Sequence, residues 1–228
     1  MSPVDPSGRV LPALVVALAV GSTHAVADAP PGRHVKAALL SETDSIRPGQ
    51  PLAVGIRLQM EKGWHTYWRN PGDSGLPTRV RWDLPSGLAA SEIQWPYPIR
   101  FGTGPVVSYG YEGDVLLPVE IRVPAALPAS PVRIAAQVDW LECQEACLPG
   151  RADLSLALPV RATTSPGAHA SLFAHARRRL PRKDPAWGFS ASSTAGSLSL
   201  VVRPPRGTEL REAYFYPAAP RLLDHAQP

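Results

Sequence analysis

Two cysteines are all that these 228 residues contain, and only two methionines, one of them the initiator. A multiply bridged scaffold needs more sulfur than that. A closed thiolate metal centre needs further soft ligands, and the histidines beyond residue 29 (His34, His65, His169, His175 and His225) have no ligand spacing to the cysteines. A copper-carrying Met/His tract is absent. Long apolar runs are equally scarce. The longest, "VLPALVVALAV" over Val10–Val20, is shorter than the roughly 20 residues that span a bilayer as a helix. No Ser-His-Asp order, paired carboxylates or phosphate-cradling glycine loop stands out, so a hydrolase has no support. The 23 Lys and Arg against 19 Asp and Glu leave a net charge of +4, spread along the chain except at "RRRLPRK". With no basic stripe interleaved with aromatics and no known module, nothing points to nucleic acid, and the arginine run reads as the solvated end of a helix.

What is present begins with an export signal. Arg9, the apolar run and "AVADA" give a charged start, a short hydrophobic stretch and small residues for cleavage after Ala27 or Ala29. Residues 1–29 are therefore expected to be removed, and the remainder to work outside the cytoplasm.

The 27 prolines and 18 glycines argue against long helices and for short strands joined by turns. Period-2 alternation is the dominant pattern. It places Leu52, Val54, Ile56, Leu58 and Met60 on one face, and likewise Val80, Trp82 and Leu84. Val115, Leu117, Val119, Ile121 and Val123 follow the same rule, as do Val132, Ile134, Ala136, Val138 and Trp140, then Leu154, Leu156, Leu158 and Val160. "HVKAALL" is a weaker first strand. Strands with one dry and one wet face belong to antiparallel sheets packed face to face. The fold expected is all-β: an immunoglobulin-like antiparallel β-sandwich over residues 32–162. The period then changes. "AHASLFAHARRRL" reads as a short helix with Leu172, Phe173, Ala176 and Leu180 on one side, inside a linker of residues 163–186. Residues 187–228 are expected to begin a second β domain, too short to bury a core alone; the chain is expected to be the front end of a longer protein, or its tail to complete itself on a partner.

The cysteines stand in "VDWLECQEACLPG", three residues apart. A bridge between them closes a loop of about 5 residues, for which chain entropy gives roughly 2 kcal/mol, against about 4.7 for a loop of 100. As a staple it is poor, whereas two sulfurs this close can both reach one partner sulfur. The motif is not C-x-x-C and no βαβ pattern surrounds it, so a thioredoxin-like domain is not expected. Glu142 and Glu145 flank the sulfurs, and anions disfavour a thiolate. Spacing and compartment leave redox exchange, a structural disulfide and metal binding open, metal having the least support. Trp64, Tyr67, Trp68 and Trp82 read as sandwich core or rim, and Asn70 to Gly75 as turn residues.

The blocks "GWHTYWRNPGDSGLPTRVRW", "QWPYPIRF", "YGYEGDVLLPVEI" and "CQEACLPG" follow one another as in a known family. The chain from about residue 33 resembles the N-terminal periplasmic domain of the DsbD family of thiol:disulfide interchange proteins, closest to its suppressor-of-copper-sensitivity B-type branch. The resemblance implies an immunoglobulin-like domain that takes electrons from a membrane-embedded domain through a thioredoxin-like domain, of the same or a neighbouring protein. It passes them to a periplasmic disulfide isomerase or related thiol protein. It implies a redox pair, Cys143 and Cys147, with Cys147 attacking the partner disulfide and Cys143 resolving. It also implies an aromatic cap: Phe101, with Tyr97 and Tyr109 behind it. His65, in the first of these blocks, is a candidate for tuning the thiols, with a plain place on the solvent face the better-supported reading. No cofactor is implied, since the sulfurs carry the electrons. The full-length protein is expected in the inner membrane with this part in the periplasm. Better-known members space their cysteines more widely, so the cap geometry is expected to differ. An inert bridge on an interaction module, or a copper-binding module for metal tolerance, are the rival readings.

Overall fold

The structure is a computed structural model that describes residues 34–102, 106–127, 130–194, 196–210, 213–220 and 222. The export signal expected over residues 1–29, and the start of the expected domain at residue 32, lie outside the described residues.

Two antiparallel sheets face each other. The first has the order β1 (Val35–Ser41), β2 (Leu52–Met60), β8 (Asp114–Arg122), β5 (Ala89–Ala90). The second runs β10 (Cys147–Leu158), β9 (Val132–Cys143), β3 (His65–Gly72), β7 (Ser108–Glu112), β6 (Ile99–Phe101), with β4 (Arg79–Asp83) also pairing with β9. Alternation decides what lies between them. Val54, Ile56, Leu58, Leu117 and Ile121 from the first sheet meet Ile134, Val138 and Trp140 from the second in one buried cluster. Each such side chain removed from water contributes about 1.5–3 kcal/mol before chain entropy is charged against it. This is the immunoglobulin-like sandwich expected from the alternation.

β3 departs from the turn expected over Asn70 to Gly75. It continues to Gly72, with a register irregularity against β7 between Tyr67 and Gly72. The irregularity accommodates Pro71, which cannot donate to a ladder. Asn70 is fully buried. Its Oδ1 accepts from the Gly72 N–H at 3.2 Å, and its Nδ2 donates to the Pro217 and Ala219 carbonyls at 2.7 and 3.2 Å. The turn proper is Asp73–Gly75. Asp73 accepts from the Val107 N–H at 2.9 Å, which gives its carboxylate a structural partner.

Helix α1 (Ala170–Arg178) lies on the outer face of the first sheet, burying Phe173 and Ala176 against Leu116. Arg177 and Arg178 occupy its last turn, where cations complement the carbonyl ends. Beyond it, β11 (Gly188–Thr194) and β12 (Ser197–Arg203) form a two-stranded hairpin that leaves Phe189 and Val201 exposed. The chain then returns to the sandwich. Tyr216 packs edge-on to Trp68 and Tyr109, with ring centroids 6.2 and 5.4 Å away. Of the described C-terminal residues, Tyr216 and Pro217 pack on the sandwich, while Tyr214, Phe215 and Leu222 are exposed.

Candidate functional site

The two cysteines end adjacent strands. β9 finishes at Cys143, β10 starts at Cys147, and the two residues oppose each other in the ladder. Only Gln144, Glu145 and Ala146 separate the strands. The sulfurs are joined in a disulfide, with Cα atoms 4.1 Å apart. Because the ladder already holds the hairpin, the bridge adds little constraint to it. The sulfurs differ in access: Cys143 is 1% exposed, whereas Cys147 lies open to solvent.

The face on which they lie follows from alternation. Trp140 points into the core and Cys143 points out. Glu142 continues the inward row. It is fully buried, accepting from Trp140 Nε1 at 3.0 Å and from the His34 N–H at 3.1 Å. The anion expected to flank the sulfurs is therefore on the opposite face of the strand, and Glu145 is exposed at the hairpin tip. Gly150 of the "CLPG" block serves packing: it opposes Trp140, and a Cβ there would lie 2.3 Å from that indole.

On β3 the same rule turns Thr66 and Trp68 inward and His65 and Tyr67 outward. Trp68 joins the core, and Thr66 donates to Met60 Sδ at 3.4 Å. His65 opposes Cys143 across the β3–β9 pairing, so the two side chains share a face. Tyr67 reaches the sulfurs directly. Its hydroxyl is 3.0 Å from Cys143 Sγ and 3.7 Å from Cys147 Sγ. Tyr67, grouped by sequence with Trp64, Trp68 and Trp82 as core or rim, is 3% exposed, but on the face away from the core. What buries it is the 73–77 turn: Pro77 bridges to it, and a Cβ on Gly75 would sit 2.2 Å from its ring. The signal was present in "HTYW", whose alternation separates Tyr67 from Trp68.

Phe101 lies beside this group. Its ring stacks on His65, centroids 4.5 Å apart and 24° from parallel, and crosses the bare backbone of Gly110. His65 in turn meets Tyr67 edge-on at 5.3 Å. Cys143, His65, Tyr67 and Phe101 thus form one outward cluster. Tyr97 and Tyr109 do not join it. Tyr97 is half exposed under the Arg179 guanidinium, 4.9 Å from its ring, at the end of α1. Tyr109 faces the core with Trp68 and Tyr216.

Burial holds the His65 imidazole below its ordinary range, the Glu112 carboxylate partly opposing it. An unfolded chain protonates this histidine near pH 6.5 while the folded chain resists. The stability held by neutral His65 is therefore full above about pH 6.5 and is lost as pH falls below it. Urea midpoints measured from pH 7 to pH 5 are expected to fall, and to fall less in His65→Phe, which keeps the stack on Phe101. Equal slopes in the two proteins would disprove this.

Among the described residues no group of three or more His, Cys, Asp or Glu is placed to hold a metal, and no helix is long and apolar enough to cross a membrane.

Three comparisons bear on this arrangement. Residues 36–159, more than half of the chain, match the family model described as "Thiol:disulfide interchange protein DsbD, N-terminal". Among solved structures, the N-terminal periplasmic domain of ScsB from Proteus mirabilis is similar at 20% identity and a TM-score of 0.56, over 76% of this chain. The chain spans 65% of that structure's length. The reduced N-terminal domain of Neisseria meningitidis DsbD aligns at 12% identity and a TM-score of 0.28, over 57% of this chain and 90% of its own. No curated protein matches.

Proposed function

We propose, for a chain that belongs to the DsbD N-terminal domain family, that Cys143 and Cys147 form an exchanging dithiol that carries electrons between thiol proteins of the periplasm. The observation that carries this reading is the unequal access of two bridged sulfurs at a hairpin tip: Cys147 open, Cys143 buried beneath aromatic side chains. A bridge across an already paired hairpin is a weak staple, but it offers one sulfur to an incoming thiolate and keeps the other within reach.

In the loading direction a thiolate of a thioredoxin-like domain attacks Cys147 Sγ. The 143–147 bond breaks, Cys143 leaves with the electron pair, and a mixed disulfide forms on Cys147. The second thiol of that domain, once deprotonated, closes its own disulfide and releases Cys147. In the unloading direction the Cys147 thiolate attacks the disulfide of a periplasmic isomerase or related thiol protein, and Cys143 resolves. Two electrons pass in each direction, and the sulfurs themselves carry them. Phe101 and His65 serve as the cap over the buried side of the pair; the role expected for Tyr97 and Tyr109 has less support, since neither joins the cluster. The module is exported by its N-terminal signal and belongs to a larger inner-membrane reductase. The domain division proposed is a sandwich over 32–162, a linker over 163–186 and a further β segment over 187–228.

The test is the redox equilibrium of the native protein against glutathione and dithiothreitol buffers, read by the mass shift of alkylated thiols. A midpoint well above about −300 mV marks an exchanging pair. A midpoint below that, or reduction only on unfolding, would make the bridge structural and overturn the reading.

A further inference from the structure

We propose that the Tyr67 hydroxyl is the donor that stabilises Cys143 as the departing thiolate each time a partner thiolate opens the bridge at Cys147. The inference rests on the exchange reading above and assigns a chemical role to a residue outside the expected cysteine and cap set.

The geometry is specific. The Tyr67 oxygen is 3.0 Å from Cys143 Sγ and reaches Cys147 Sγ only at 3.7 Å, so it favours the sulfur that departs. Both residues are nearly inaccessible, Tyr67 at 3% and Cys143 at 1%. A thiolate formed in such a place has lost its hydration, and without a donor its formation is costly. A disulfide sulfur is a weak acceptor and a thiolate a strong one, so the same contact tightens as charge develops. That difference is what lowers a barrier, as opposed to merely tightening the ground state. Burial pushes the Tyr67 phenol up, with the Ser74 hydroxyl partly opposing, and so keeps its proton in place at neutral pH.

The donor is also held in place. Gly75, at φ +94°, lets the backbone lie against the Tyr67 ring, where a Cβ would sit 2.2 to 2.4 Å from three ring atoms. Pro77 bridges to the Tyr67 backbone from the same turn. The ring therefore cannot swing away from the sulfur without moving that turn, which Asp73 ties to the Val107 N–H.

The step balances without any other reagent. A thiolate of a dithiol partner forms a bond to Cys147 Sγ, and the Cys147–Cys143 bond breaks. Its electron pair goes to Cys143 Sγ, which accepts the hydrogen bond from Tyr67. The partner's second thiol, deprotonated to solvent, then displaces Cys147 and is oxidised to the disulfide with its neighbour, leaving both cysteines here reduced.

The experiment compares the native protein with Tyr67→Phe, using dithiothreitol as the dithiol and timed alkylation as the readout. Losing a hydrogen bond to a charged group is expected to slow opening about tenfold at neutral pH. Tyr214→Phe, on the exposed surface, is the control and keeps the native rate. A second readout is the thiolate absorbance of Cys143 in a Cys147→Ser background. Its titration is expected to move upward on Tyr67→Phe, a shift that a merely structural residue would not cause. Gly75→Ala, which displaces the ring but leaves the hydroxyl in the chain, is expected to slow opening as well, and it decides the question should Tyr67→Phe disturb the fold. A folded Tyr67→Phe, or failing that a folded Gly75→Ala, that opens at the native rate overturns the inference while the exchange reading stands. A native bridge that dithiothreitol does not reduce at all overturns both.

Discussion

Cys143→Ser is expected to capture, as a stable mixed disulfide on Cys147, a thioredoxin-like partner that keeps only its attacking cysteine and is presented as its mixed disulfide with glutathione, whereas Cys147→Ser captures little or none. The asymmetry comes from access. Exchange needs an attacking sulfur, a target sulfur and a leaving sulfur close to a line, and its rate depends on which sulfur can be reached. Cys147 opens β10 at the solvent side of the hairpin, while Cys143 is 1% exposed under Tyr67 and beside His65. A partner protein cannot bring its disulfide to Cys143 without displacing those rings. Attack on the partner releases glutathione, and with Cys143 and the partner's second cysteine both replaced no neighbouring thiol resolves the adduct, so it accumulates. The yield ratio between the two variants is expected to exceed roughly tenfold, in keeping with access control of thiol exchange. Non-reducing electrophoresis followed by intact mass reads it directly. Equal capture by both variants would mean that the hairpin tip opens freely and that the cluster does not select the sulfur. Greater capture through Cys143 would reverse the assigned roles.

Alternation made most of the sandwich legible. Where a strand has one apolar face, as in Leu52–Met60 or Val115–Val123, every residue of that apolar row is buried, and the exceptions fall in the other row, where Gly55, Leu116 and Pro118 are buried as well, Leu116 under Phe173 of α1. β3 and β7 carry weaker marks. β3 runs through Asn70, Pro71 and Gly72, residues that in isolation favour turns, and it tolerates them because Asn70 supplies its own side-chain bonds to Gly72 and to the returning tail. β7 has a glycine at its centre and aromatic residues on its inner face. Local preference points to loops in both; pairing with the neighbours overrides it.

The cysteines were legible from composition alone, and Phe101, which stacks on His65 beside them, stood in one of the family blocks. Tyr67 was legible only in part: the alternation in "HTYW" turns it away from Trp68, but a buried tyrosine in a strand ordinarily belongs to the core. Its burial here comes from the 73–77 turn folding over the outer face of the sheet, and no period in the sequence encodes that. Glu142 shows the reverse. Beside Cys143 in sequence, it reads as an anion at the sulfur, yet one step along a strand reverses the face and gives it to Trp140 and His34. Placing an ionisable group near a site from sequence distance fails at odd spacings in strands for this reason.

Gly110→Ala is expected to be the most damaging small substitution in the second sheet, costing on the order of 3 kcal/mol, the upper end of what overpacking usually takes. Gly110 opposes Tyr67 on β3 and Ile99 on β6. A Cβ there would lie 1.9 Å from the Thr66 carbonyl oxygen and 2.9 Å from its carbon, with Phe101 Cε2 at 3.1 Å. The phenyl ring can tilt by a few tenths of an ångström, but the Thr66 carbonyl belongs to the β3 backbone and cannot. To make room, β3 and β7 must separate where His65 and Tyr67 are held, and the His65–Phe101 stack that crosses Gly110 must open. Two effects should therefore appear together. The urea midpoint falls with an unchanged slope, as for a loss of stability without a change in the surface exposed. Alkylation of reduced Cys143 in the native state also speeds up, because the rings that cover it have moved. A lower midpoint with Cys143 still protected would confine the damage to strand pairing and dissociate the cap from the β3–β7 ladder. A stability within about 0.5 kcal/mol of the native protein, the range of ordinary surface substitutions, would show that the two strands approach less closely than 1.9 Å requires.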